Sequence, residues 1–173
     1  MLGLAGRNAG PHLLDFAWAS QVISPDTVTR VTSHVWSGVE YPQDWVTRAS
    51  WIDLFSTAGF TIDGHLAERP TEPVKLWRGC VPRLRRRMSW TSDLEMARKF
   101  AFGMLRGREE GAVYETTAPP YALFCINHIS RKESEYVINT RGLKISECEA
   151  KIPIRVQAGK FSLPTEDAHY HVE

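Results

Sequence analysis

Cysteine is scarce in this chain, which has three among 173 residues, and no two of them form a C-x-x-C pair. That count and spacing predict neither a zinc site nor a disulfide framework, and they fit a reducing cytoplasm. Long apolar runs are missing as well, so we predict no transmembrane helix, and the N-terminus lacks the pattern of a signal peptide. The net charge of +1 provides no general attraction for nucleic acid or for an anionic membrane. We therefore predict a cytoplasmic protein with no metal cofactor and no membrane partner.

The rest of the composition is that of an ordinary globular protein, with 43% apolar and 24% charged residues. The length predicts one compact domain, in which a helical N-terminal region, residues 1–58, packs on a core of residues 59–173. Ser24-Pro25 is a helix-start signal, and a further helix is predicted from Trp45 to Ala58. The core alternates as a mostly antiparallel sheet with one inserted helix, so the predicted fold class is α+β. The predicted strands cover residues 60–63, 74–77, 89–91, 112–118, 122–126, 135–139 and 152–157.

The first candidate site residue is Arg78, which closes the predicted strand 74–77. Gly79 follows it, and a glycine lets a ligand approach the backbone closely. A guanidinium fixed at this place suits a clamp on a phosphate or on a ribose hydroxyl. The alternative is an arginine at a strand end that pairs with a surface carboxylate.

Two further polar stretches fall in or beside predicted strands. In Ser89-Trp90-Thr91 the two hydroxyls share one face of the strand, which suits the orientation of a neighbouring carboxylate, whereas the alternative is a strand edge that runs into a helix cap. Glu133 and Glu135 also share one face, about 7 Å apart along the strand. Two carboxylates that close suit acid–base work or the stabilisation of a developing cation, and the alternative is a solvated acidic edge.

Together these stretches resemble the Arg–Ser–Glu signature of mono-ADP-ribosyltransferases, in the cholera-toxin-like and clostridial-toxin-like branch. In that family an arginine lies on the first core strand, a Ser-Thr-Ser-type motif lies on the second, and a Glu-x-Glu turn and strand close the site. Arg78, Ser89 and Glu135 follow this order, and Trp90 stands where many members have threonine. The likeness covers about residues 50–157 and is closest to small bacterial and phage-encoded members.

The resemblance implies a split antiparallel sheet and a reaction that cleaves the bond between nicotinamide and ribose in NAD, through an oxocarbenium-like transition state. Glu135 is expected to stabilise that transition state, Ser89 to hold Glu135, and Arg78 to anchor a phosphate or the ribose. Gly79 is expected to bind the nicotinamide amide through its backbone, where a side chain would obstruct it, and Glu133 to orient or deprotonate the acceptor nucleophile. The residues expected to bind NAD are Arg78, Gly79, Ser89, Trp90, Thr91 and Glu135.

The resemblance also bears on the acceptor, which is expected to be a protein side chain. Arginine is favoured because family members with glutamate at the position of Glu133 modify arginine, and the small net charge makes a nucleic acid less favoured. The helical N-terminal region is expected to flank the cleft and to help recognise the acceptor. Two alternatives stay open: an NAD glycohydrolase, with water as the acceptor, and a non-catalytic binding module. A basic cluster is interpreted as a solvated loop rather than as a contact for phosphates, and it consists of Arg83, Arg85, Arg86 and Arg87.

Overall fold

The computed structural model describes residues 9–103, 109–128 and 134–148. The helices are α1 (Gly10–Ala19), α2 (Pro25–Gly38), α3 (Pro42–Trp45), α4 (Arg48–Ala58) and α5 (Leu94–Ala101). The strands are β1 (Thr61–Ile62), β2 (His65–Leu66), β3 (Val74–Cys80), β4 (Ser89–Thr91), β5 (Ala112–Ala118), β6 (Leu123–Asn127), β7 (Glu135–Ile138) and β8 (Ser146–Cys148). This order, with helices first and one helix inserted in the sheet, confirms the α+β class. The predicted strand 152–157 lies outside the described residues.

The third long helix, α4, begins later than the sequence predicts. The Thr47 side chain accepts a hydrogen bond from the backbone N–H of Ser50, 3.1 Å away, and this cap sets the start of α4 at Arg48. Trp45 therefore ends the separate short helix α3 and is 37% exposed, so the prediction that it opens the long helix is wrong. The helix ends before Gly59, as predicted, and Gly59 has the positive φ of 76° that favours glycine.

Within the described residues, the sheet has eight strands in the order β2-β1-β6-β7-β4-β3-β5-β8. Every neighbouring pair is antiparallel except β1 and β6, which are parallel. Strands β3 and β4 are registered at a single position, Trp77 opposite Thr91. One half of the sheet, β2-β1-β6-β7-β4, therefore meets the other half, β3-β5-β8, at one point in the middle.

Strand β3 is longer than predicted. It does not end at Trp77 but continues to Cys80, and it pairs with β5 along its whole length, from Val74 opposite Ala118 to Cys80 opposite Ala112. Arg78 and Gly79 consequently lie within a central strand rather than beyond its end. The backbone of Arg78 is fixed by the ladder with β5.

The N-terminal helices and the sheet share one apolar core. Trp36 of α2 and Trp51 of α4 are both buried, and their rings meet edge to face at 5.0 Å. Phe55 of α4 stacks on Phe124 of β6 at 5.4 Å, which ties the helices to the sheet. Because helices and sheet bury one another, we expect neither part to fold well alone.

Within the described residues, no helix has both the length and the apolar character that a membrane span requires.

Candidate active site

A buried carboxylate, that of Glu135, lies at the centre of the site. Glu135 is the first residue of β7 and is 6% exposed. Its Oε1 accepts a hydrogen bond from the Ser89 hydroxyl at 2.6 Å and another from the Trp36 indole N–H at 3.2 Å. Its Oε2 accepts one from the Asn127 side-chain amide at 3.3 Å. The structure thus contains the hydrogen bond between Ser89 and Glu135 that the sequence predicts, and it adds two donors.

The sheet register brings Ser89 to Glu135. Thr91 lies directly opposite Glu135 across β4 and β7, and Ser89 lies opposite Val137. Ser89 is therefore a diagonal neighbour of Glu135 on the same face, within reach of a long side chain. The hydrogen bond that the structure gives the Thr91 hydroxyl is not to the carboxylate. This hydroxyl accepts from the backbone N–H of Asp93, at the start of α5.

Asn127 reaches Glu135 through an irregularity in β6. Leu123 pairs with Ile138 and Cys125 pairs with Val137, so one extra residue is accommodated between Leu123 and Cys125. Beyond this bulge, Asn127 lies directly opposite Glu135. Without the extra residue, the register would place an isoleucine opposite the carboxylate, because a shift of one residue exchanges the two faces of a strand.

The side chain of Arg78 links β3 to β4 by a hydrogen bond. Its Nη1 donates to the carbonyl of Ser89, and its Nε donates to the carbonyl of Leu84 at 3.1 Å. Burial lowers the pKa of the Arg78 guanidinium. Its interaction with Cys80 opposes this, the charge of Arg87 lowers the pKa further, and the Glu135 carboxylate raises it slightly. An arginine keeps its charge despite such a shift. The structure thus places a partly buried cation near the buried carboxylate, and two of its nitrogens are bound to backbone carbonyls.

Gly79 has a different reason to be glycine from the one that the sequence suggests. A Cβ built on Gly79 would lie 1.8 Å from the carbonyl oxygen of Ala97 and 2.5 Å from the backbone nitrogen of Ala101. Both atoms belong to the backbone of α5, which packs directly on β3. The close packing of α5 therefore requires glycine here, and the expected contact of the Gly79 backbone with nicotinamide stays a prediction.

A cleft opens above these residues, with about 770 Å³ of empty space when the part open to solvent is included. The turn between α2 and α3 forms part of its wall, so the predicted flanking of the cleft by the N-terminal region is observed. Five side chains of the wall are aromatic: three indoles, one phenol and one phenyl ring. The lining residues are Trp36, Glu40, Tyr41, Pro42, Gln43, Trp77, Arg78, Gly79, Arg87, Ser89, Trp90, Thr91, Phe100 and Glu135.

The basic cluster divides into two parts. Arg87 is partly buried, lines the cleft and forms an ion pair with Asp44 of α3. The other three arginines are exposed, and Arg83 pairs with Glu109 at 3.3 Å. The interpretation as a solvated loop is therefore wrong for Arg87, since this side chain turns inward beside Ser89.

Six of the seven predicted site residues line the same cleft, and these are Arg78, Gly79, Ser89, Trp90, Thr91 and Glu135. Trp90 is 2% exposed and its indole N–H donates to the carbonyl of Arg87, so it is mainly a buried support. Glu133 lies outside the described residues. Sequence reasoning missed Trp36 and Asn127, although each carried a signal: an indole on the buried face of a helix, and an amide at the end of an apolar strand.

Comparison with protein-family models, with curated proteins and with solved structures gives no match to this chain. In the described ranges, no group of three or more histidine, cysteine, aspartate or glutamate side chains is arranged to hold a metal ion. Any functional assignment therefore depends on the residues of the cleft and on the order of the three motifs.

Proposed function

We propose that this protein is an NAD-dependent mono-ADP-ribosyltransferase, which moves ADP-ribose from NAD to a macromolecular acceptor and releases nicotinamide. The observation that carries the proposal is the buried carboxylate of Glu135, held at 2.6 Å by the Ser89 hydroxyl in the same cleft as Arg78. These are the three residues on which the resemblance to that enzyme family rests. Burial of a carboxylate costs free energy unless the group is well hydrogen-bonded. The place of Glu135 in an open cleft therefore favours a chemical role.

The chemistry of the cleft suits NAD as a substrate. NAD combines an anionic pyrophosphate with ribose hydroxyls and two aromatic rings. The cleft offers the guanidinium groups of Arg78 and Arg87 for the anionic part, and the indole of Trp77 and the ring of Phe100 for the aromatic part.

In the proposed reaction, the bond between the ribose carbon and the nicotinamide nitrogen breaks, and the electron pair leaves with nicotinamide. The ribose then carries positive charge, which the negative carboxylate of Glu135 stabilises. Because Ser89, Trp36 and Asn127 already fix this carboxylate, little reorganisation is needed as the charge develops. The acceptor nucleophile forms the new bond to the ribose carbon and gives its proton to a base, the role for which the sequence offers Glu133.

A protein side chain remains the proposed acceptor, with arginine favoured because of Glu133 in the sequence, and the proposed setting is the cytoplasm of a bacterium or of its phage-infected host. The test is to incubate the purified protein with labelled NAD and a bacterial lysate, next to a Glu135→Gln variant. Label that reaches a macromolecule only with the native protein supports the transferase. Release of nicotinamide without labelling points to the glycohydrolase, and no binding of NAD points to a binding module.

Replacing Arg87 with alanine should weaken NAD binding. A charge-assisted hydrogen bond to a phosphate contributes about 1.5–3 kcal/mol, so we expect the Kd or KM for NAD to rise roughly tenfold to a hundredfold. Arg85→Ala is the matched control, because Arg85 is an exposed arginine of the same loop, which bonds the carbonyl of Pro82 and does not line the cleft. Isothermal titration with NAD and with ADP-ribose measures both. Equal affinities for the two variants would contradict the assignment of Arg87.

A further inference from the structure

Behind Glu135 lies a chain of buried polar groups that connects it to the N-terminal helix α2. The Ser33 hydroxyl of α2 donates to the side-chain oxygen of Asn127 at 2.5 Å, and the amide of Asn127 donates to Glu135. Ser33 is 2% exposed and Asn127 is 3% exposed. One helical turn after Ser33, the indole of Trp36 donates to the other oxygen of the same carboxylate.

We propose that Ser33, Trp36 and Asn127 are positioning residues, which hold the Glu135 carboxylate in its working orientation, and this proposal rests on the function proposed above. Trp36 donates to one oxygen of the carboxylate and Asn127 donates to the other, and Asn127 is itself held by the Ser33 hydroxyl. A carboxylate only accepts hydrogen bonds, and every partner that the structure gives it is a donor. Ser33 sets the direction of the Asn127 amide, because its hydroxyl occupies the amide oxygen and leaves the amide nitrogen to donate to Glu135 and to the Cys125 sulfur.

This arrangement gives the N-terminal helical region a part in the reaction. Buried polar groups are stable where all of them are hydrogen-bonded. Here the hydrogen bonds converge on one carboxylate rather than on a structural turn. The titratable groups that face Glu135 are Arg78 on β3 and Cys125 on β6, and burial together with the Glu135 charge raises the pKa of the Cys125 thiol, which therefore stays neutral. The other ionisable groups of the cleft wall are Glu40, Tyr41 and Arg87.

The chain offers a matched pair of variants on one helix. Ser33→Ala removes the hydroxyl that bonds Asn127, and Thr32→Val removes an equally buried hydroxyl that bonds only the carbonyl of Val28 in α2 itself. Both should lower stability to a similar degree. We expect Ser33→Ala to lower kcat for nicotinamide release about tenfold or more with less than about a threefold change in KM for NAD, and Thr32→Val to leave both near the native values. Ser33→Thr, which restores a hydroxyl, should recover part of the kcat.

A second measurement does not depend on catalysis. The indole N–H resonance of Trp36, assigned with Trp36→Phe in ¹⁵N-labelled full-length protein, should move in Glu135→Gln and in Ser33→Ala but not in Thr32→Val. An equal loss of kcat in Ser33→Ala and Thr32→Val would overturn the positioning role. So would a Trp36 resonance that is unchanged in both Glu135→Gln and Ser33→Ala. Native protein that cleaves no NAD would remove the proposed reaction, and the resonance shifts alone would then decide whether these residues position the carboxylate.

Discussion

Glu135→Gln is expected to lower kcat for NAD cleavage by at least about a hundredfold, because the charge that stabilises the developing cation is lost. Glutamine has almost the same shape, so the fold should be retained. Its NH2 group, however, would replace one carboxylate oxygen and would face either the Asn127 amide or the pair formed by the Ser89 hydroxyl and the Trp36 indole. Asn127 cannot turn to accept without losing its bond from Ser33. Nicotinamide release measured over a range of NAD concentrations gives kcat and KM separately.

The control for this variant is Glu115→Gln. Glu115 is a partly exposed carboxylate of β5 that pairs with Lys75 at 3.1 Å and does not line the cleft. Loss of a solvated ion pair changes little, so activity should stay near that of the native protein. If Glu135→Gln retained half of the native kcat, the carboxylate would not be the group that stabilises the transition state, and the proposed mechanism would fail.

The largest expected effect on stability belongs to Gly79→Ala. The added Cβ would lie 1.8 Å from a backbone oxygen of α5, and no side-chain rotation relieves a clash with backbone. The helix must move away from β3, which opens the small cluster of Ala97, Ala101 and Val113. We expect a loss of about 3 kcal/mol or more in the free energy of unfolding, measured by chemical denaturation.

Gly38→Ala provides the comparison for that variant. Gly38 is the last residue of α2, and a Cβ there would meet nothing within 4 Å. Alanine should be neutral or stabilise the protein by roughly 0.5 kcal/mol, because it reduces the freedom of the unfolded chain. Similar unfolding free energies for the two variants would mean that α5 does not pack on β3 as closely as the structure shows.

The general layout of this fold follows from local sequence signals. The Ser24-Pro25 cap, the glycine after α4 and the alternation in β5 each act within a few residues, and each appears in the structure where the sequence places it. The helix start at Arg48 was missed because Trp45 continues the apolar spacing across the cap at Thr47. The end of β3 was missed because an arginine and a glycine are poor strand residues, and pairing with β5 overrides that preference.

The inner support of the candidate site was not predictable in the same way. Asn127 faces Glu135 only because β6 contains a bulge, and Ser33 faces Asn127 only because α2 packs on that strand. Neither relation leaves a periodic trace in the sequence. Ser89 and Glu135 were recognised as a pair by resemblance to a family motif, whereas their contact depends on the register of β4 with β7.

The hydrogen bonds around Glu135 join parts of the chain that are far apart: 46 residues to Ser89 and 99 residues to Trp36. Contacts of such separation form late in folding, because a long loop must be closed before they contribute. A nascent chain of the first 130 residues contains the partners Trp36 and Ser89 but not yet the Glu135 carboxylate that they bind. The nascent chain therefore has no assembled site until synthesis has passed Glu135, and the proposed activity would begin only after the sheet has closed.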